Sequence, residues 1–129
     1  MTESINWSLN AQVSGGPKVM ASDTKEIEAY DKIKVTIEAE TTDKEVEIQP
    51  GGAGKVLFLL IKSDTYSEDL TYKVNELTTL IKLDALQMFI GNGAVELLTE
   101  PPEKLVFTND LITPVSIEIL VGRMATLPL

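Results

Sequence analysis

The chain has 129 residues, of which 43% are hydrophobic, and its twenty acidic and eleven basic side chains give a formal charge of −9. It contains no histidine and no cysteine, which excludes disulfides, thiolate metal sites, iron–sulfur clusters, cysteine nucleophiles and the histidine base of a serine triad. With a single arginine, Arg123, and so acidic a balance, no basic face is available for nucleic acid or for an anionic membrane.

A chain of this length forms one domain, residues 1–129, that buries roughly two thirds of its unfolded surface. Its opening, MTESINWSLN, has neither a basic start nor an apolar core segment and is not expected to be a secretory signal. The longest apolar run is too short to span a bilayer. The expected location is therefore the cytoplasm of a cell.

Period-two alternation dominates the chain. Ile5, Trp7, Leu9, Ala11 and Val13 alternate with Asn6, Ser8, Asn10 and Gln12, the pattern of a half-buried strand. Ser14-Gly15-Gly16-Pro17 breaks it. Ile27, Ala29, Ile33, Val35, Ile37 and Ala39 then share one phase, predicting one long strand or two that bend at Tyr30–Lys32. Asp31 falls in the apolar phase, so either the strand bends there or its carboxylate meets a partner such as a lysine. Thr41–Lys44 predicts a polar turn, and Val46 and Ile48 resume the alternation to close a hairpin.

Pro50–Gly54 is glycine-rich, but it lacks the Lys-Ser/Thr ending of a phosphate-binding loop and is expected to connect sheets. Val56–Ile61 is a continuous apolar run, expected as a central strand or at a subunit interface. Ser63–Asp69 is polar and acidic. Leu70, Tyr72 and Val74 make another strand. The dense apolar stretch Leu77–Ile90 predicts two short strands meeting near Asp84. Gly91-Asn92-Gly93 is a turn, Ala94–Leu98 supplies one short helical turn, and Glu100-Pro101-Pro102 ends it. Leu105–Thr108 and Val115–Val121 are the last strands, and the tail from Arg123 to Leu129 is expected to be loosely held. Many short strands with almost no helix predict an all-β, jelly-roll-like β-sandwich with at most one short helical turn.

Carboxylates are the only catalytic groups in quantity. Glu26, Glu28, Glu38 and Glu40 are spaced for the solvent side of strands rather than for a cleft. Asp64-Thr65-Tyr66-Ser67-Glu68-Asp69 gathers oxygen ligands but lacks the order and the glycine of an EF-hand loop. No lysine sits in a context that suggests a nucleophile. No catalytic, cofactor or metal residue is therefore assigned, and the chain is not expected to be an enzyme. Met20 and Met88 are expected as core filler. Trp7 is expected in the core or at an interface, with a sugar platform as the sharper alternative. Arg123 ends the last strand, where an acidic partner, such as one across a subunit boundary, is its expected role.

The strings MFIGNGAVELL, EKLVFTND and VSIEILVGRMAT together resemble the C-terminal part of small β-sandwich proteins found in tailed-phage and prophage virion gene clusters. The resemblance covers about a third of the chain. It implies a non-enzymatic structural or accessory virion protein, a symmetric homo-oligomer, and no active-site residues. Independently, Val56–Ile61 and Leu77–Ile90 hold more apolar residues than one face of a thin sandwich buries, and cyclic self-association would cover the excess. The expected partner is thus the chain itself, as a trimer, with other virion proteins as further neighbours, through Trp7, Phe58, Leu60, Phe89 and Arg123. The alternative is a carbohydrate- or calcium-binding β-sandwich module centred on Trp7 or on residues 64–69.

Overall fold

A computed structural model describes residues 3–50 and 54–124. The strands are β1 (Glu3–Gln12), β2 (Lys18–Ile27), β3 (Ala29–Ile37), β4 (Thr41–Glu47), β5 (Val56–Ser63), β6 (Ser67–Val74), β7 (Ile81–Leu83), β8 (Gln87–Ile90), β9 (Lys104–Asn109) and β10 (Val115–Arg123). A short helix, α1 (Asn92–Val95), runs into a 3-10 turn over Glu96–Leu98. Two four-stranded antiparallel sheets have the orders β3-β10-β5-β8 and β4-β9-β6-β7. The first four strands of the body thus alternate between the sheets, and the last one inserts between the first and third. This is the jelly-roll arrangement. A separate two-stranded ribbon, β1-β2, precedes it.

Alternation explains the core. Ile37, Leu59, Ile61, Ile117, Ile119 and Val121 from one sheet meet Val46, Leu70, Tyr72, Val74, Leu105 and Phe107 from the other, and all are nearly or fully buried. The rings of Tyr72 and Phe107 stand 5.7 Å apart in a tilted contact. The Tyr72 hydroxyl donates to Oε1 of Gln87 at 2.6 Å, a polar tie between a strand of each sheet. Val95 and Leu98 close one end of the core. β5 lies between β10 and β8, the central position expected of Val56–Ile61, and β7 and β8 flank Asp84 as expected of Leu77–Ile90.

Several local expectations are corrected. Lys18–Glu26, which alternates too weakly to stand out as a strand, joins Ile27 in a ten-residue strand that pairs with β1. The chain bends at Glu28, between β2 and β3, rather than at Tyr30–Lys32. No hairpin joins the segments around Ile37 and Val46. β3 pairs with β10 and β4 with β9, so the polar residues between them turn a corner from one sheet to the other. Thr41–Lys44 belongs to β4 and contains a register shift, with Asp43 at φ 55°. Met20 is 67% exposed on the ribbon rather than packed in the core. The glycine loop expected at 50–54 falls mainly on 51–53, outside the described residues. Of the tail expected to be loose from Arg123, Arg123 is the buried end of β10 and Met124 N–H donates to the Lys55 carbonyl at 2.9 Å, and 125–129 lie outside the described residues.

Candidate functional site

The ribbon is the feature that the sandwich does not need. Its tip is closed by Gly15 at φ 69°, by Gly16 N–H donating to the Val13 carbonyl at 2.7 Å, and by Val13 N–H donating to the Pro17 carbonyl at 2.9 Å. Opposite residues in a paired ribbon share a face. Ile5, Trp7, Leu9 and Ala11 oppose Lys25, Asp23, Ala21 and Val19, which makes one face largely apolar. Ser4, Asn6, Ser8, Asn10 and Gln12 oppose Glu26, Thr24, Ser22, Met20 and Lys18, which makes the other polar. Thr24 Oγ1 donates to Asn6 Oδ1 at 2.8 Å across the polar face.

The base of the apolar face sits on the body. A Cβ added to Gly122 would lie 2.7 Å from Ile5 Cδ1 and 3.0 Å from Ile27 Cγ2, so glycine is the residue that lets the ribbon approach β10. Ile27 is buried there, as is Phe58, which opposes Gly122 in the register of the outer face. Beyond this seat the ribbon becomes an arm. Trp7 is half-buried, and Leu9, Val13 and Val19 are 45%, 64% and 64% exposed.

The outer face of the β3-β10-β5-β8 sheet continues from the same seat. One row reads Tyr30, Gly122, Phe58, Ile90, and the next reads Lys32, Leu120, Leu60, Met88. Leu120, Leu60, Met88 and Ile90 are only half-buried, and Tyr30 is exposed. The third row holds Lys34, Glu118 and Lys62. Lys32 approaches Glu118 at 4.0 Å, whereas Lys34 and Lys62 make no ion pair among the described residues.

The opposite sheet presents a contrasting outer face. Lys73 meets Asp43 at 2.9 Å, Lys104 meets Glu45 at 3.2 Å and Glu76 at 2.6 Å, and Lys82 meets Glu68 at 2.8 Å. Hydrogen bonding to the lysines holds the Glu68 and Glu76 carboxyls below the usual carboxylate range and raises Lys82 and Lys104. A depression of about 180 Å³ here is lined by Asp43, Glu45, Lys73, Asn75, Glu76 and Lys104, among others. Both of its lysines are already paired with carboxylates.

The sequence-derived interface residues are not all brought together, although Phe58 and Leu60 share one outer face. Trp7 lies on the arm and Leu60 on the outer sheet face. Phe58 is on that face but 2% exposed, and Phe89 is turned inward against the core. Arg123 is 6% exposed and pairs with Asp31 of the same chain, so the unusual phase of Asp31 has its cation. In the acidic segment, the Asp64 carboxylate accepts the Ser116 N–H at 3.0 Å, and Ser67 Oγ accepts the Asp69 N–H at 3.0 Å. No group of three or more acidic side chains placed to hold a metal ion occurs among the described residues. No helix among them is long and apolar enough to cross a membrane.

Sequence reading missed Leu120 on the outer face, and Met88, expected as core filler, stands half-buried on that face beside Leu60 instead. Leu120 carried a signal: it is the apolar residue in the otherwise polar phase of Ser116 and Glu118. Leu9 and Val13 were seen as one face of a strand, but nothing in that pattern said that the face would project from the body. No protein-family model matches the chain, and no curated protein and no solved structure matches it either.

Proposed function

We propose that this chain is a non-enzymatic structural protein that assembles with copies of itself through the β1-β2 arm. The observation that carries this reading is the arm's exposed apolar face. A two-stranded ribbon alone is marginal in water, and independent stability needs a hydrophobic surface to pack on. The seat at Gly122 serves only the base, leaving Leu9, Ala11, Val13, Val19 and Ala21 in search of a cover. Exposed apolar patches of this kind mark interaction sites. Closed symmetric assembly is the commonest way in which a soluble chain covers one.

The finer setting we propose is an accessory component of a phage or prophage virion, trimeric and bordered by other virion proteins. The likeness of MFIGNGAVELL, EKLVFTND and VSIEILVGRMAT to such proteins supports it. Jelly rolls serve capsids and lectins alike, so the fold does not choose between them. The arm favours assembly over sugar binding, because Trp7 stands on an extended ribbon rather than in a cleft.

Light scattering coupled to size-exclusion chromatography tests the reading. A particle of about three chain masses is expected at micromolar concentration. A clean monomer of the full chain would overturn it, as would an oligomer that persists unchanged when the arm is removed.

A further inference from the structure

We propose that the arm of one copy lies, apolar face down, on the outer face of the β3-β10-β5-β8 sheet of a neighbouring copy, across Leu60, Leu120 and Met88 and beside Lys34 and Lys62. This rests on the self-assembly reading above and names the two surfaces that meet.

Continuity is the first argument. Within one chain, the apolar face of the ribbon already seats Ile5 and Ile27 on this sheet face, over Gly122. The next row outward, Leu120, Leu60 and Met88, offers the same chemistry and is left half-exposed. The chain's own arm leaves the body at that point, so a second arm is the complementary ribbon of matching character.

Dimensions agree. From Trp7 to Val13 the arm extends about 20 Å at the usual rise per residue, and four strands at their usual spacing make a face of comparable width once side chains are included.

Charge gives the register. The apolar face of the arm carries Asp23 and Lys25, two residues apart, and neither makes an ion pair among the described residues. The row bordering the apolar strip presents Lys34, Glu118 and Lys62 on neighbouring strands. An arm laid across the strip sets Asp23, opposite Trp7 at the start of the free arm, against an unpaired lysine. The other outer face of the sandwich offers no such match, since Lys73, Lys82 and Lys104 are already neutralised within the chain. In a protein of net charge −9, two unpaired lysines beside an apolar strip favour a partner with a carboxylate, and the arm supplies one.

Disulfide trapping between two variants tests this, because the chain has no cysteine of its own. Full-length Leu9→Cys and Leu60→Cys are mixed, allowed to exchange and oxidised. The expected result is a mixed disulfide linking one of each, with neither variant alone forming a comparable dimer. A Leu9→Cys dimer linked to itself shows arm against arm and overturns the proposal while leaving self-assembly intact, as does an oligomer that gives no cross-link. A monomer by light scattering overturns both. A charge swap supplies the second readout. Asp23→Lys, or Lys34→Glu with Lys62→Glu, is expected to weaken assembly by roughly tenfold, and combining all three to restore it. Unchanged assembly in the separate variants, with unchanged melting, overturns the proposed register.

Discussion

The guanidinium of Arg123 and the carboxylate of Asp31 meet on the inner side of the sheet, diagonally across the β3–β10 pair, with side chains only 8% and 21% exposed. The only arginine of an acidic chain is thus used inside one subunit, at the end of the core beside the arm's seat. Removing one member of a buried pair leaves the other uncompensated, at a cost of about 3–5 kcal/mol, while replacing both with apolar groups is often nearly neutral. Asp31→Leu and Arg123→Met are each expected to lower the urea midpoint by the equivalent of about 3 kcal/mol, and the double variant to recover most of it. Simply additive losses would show that the two side chains do not act as a pair.

Gly122 couples the arm to the body, and a side chain there should separate the two. Gly122→Val places methyl groups into space held by Ile5 and Ile27, with an overpacking cost of about 1–3 kcal/mol. That cost can be relieved by lifting the ribbon. The expected result is faster hydrogen exchange over residues 3–27, with little change in β5 and β10 away from the seat. Gly122→Ala should show a smaller effect of the same pattern. Uniform loss of protection across the sandwich would mean that the arm is not the part that yields.

What was legible in the sequence follows from how strongly each strand is sided. β10 alternates from Val115 to Ile119 and β5 is apolar from Val56 to Ile61, so both stood out, as did the breaks at Gly15 and Gly91. β2 did not, because its apolar face is diluted by Asp23 and Lys25 and its regularity comes from pairing with β1 rather than from burial. The corner between β3 and β4 looks like a hairpin turn because local polarity is the same in both. Which sheet Val46 joins is decided by its register with Leu105, some sixty residues away. Phe58 illustrates the difficulty with the site. It stands in the outward phase of β5 yet is buried, because Ile5 and Ile27, distant in sequence, cover the neighbouring Gly122. Burial created by a folded-back element leaves no periodic trace.

Asn109 is the buried polar residue on which that corner depends. Its amide nitrogen lies 3.2 Å from the Ile37 carbonyl, 3.2 Å from that of Glu38 and 2.9 Å from that of Thr113, and its Oδ1 accepts the Leu111 N–H at 3.0 Å. One side chain thus ties the end of β3 to the β9–β10 connection. Asn109→Ala leaves these groups unpaired in a fully buried site, and a loss of about 3 kcal/mol or more is expected. Asn109→Asp places an oxygen against three carbonyls. Its destabilisation should deepen as the pH rises from 4 to 7 and the carboxyl loses its proton. Equal stability of the aspartate variant at both pH values would contradict this geometry.

Tyr72 should make the protein sensitive to alkali in a way that one substitution removes. The residue is fully buried, its hydroxyl donates to Gln87, and burial raises its phenol well above the ordinary value near 10. Below that value the phenol is neutral in both folded and unfolded chains, and the favourable contribution is complete. Above it the unfolded chain releases a proton that the folded chain retains, so stability falls as the pH rises, by up to about 1.4 kcal/mol per unit. Tyr72→Phe should cost about 1 kcal/mol at pH 8 through the lost hydrogen bond, yet show a flatter decline between pH 10 and pH 11. Urea midpoints for both proteins at pH 8, 10 and 11 measure the difference. Parallel declines would mean that the alkaline sensitivity arises elsewhere.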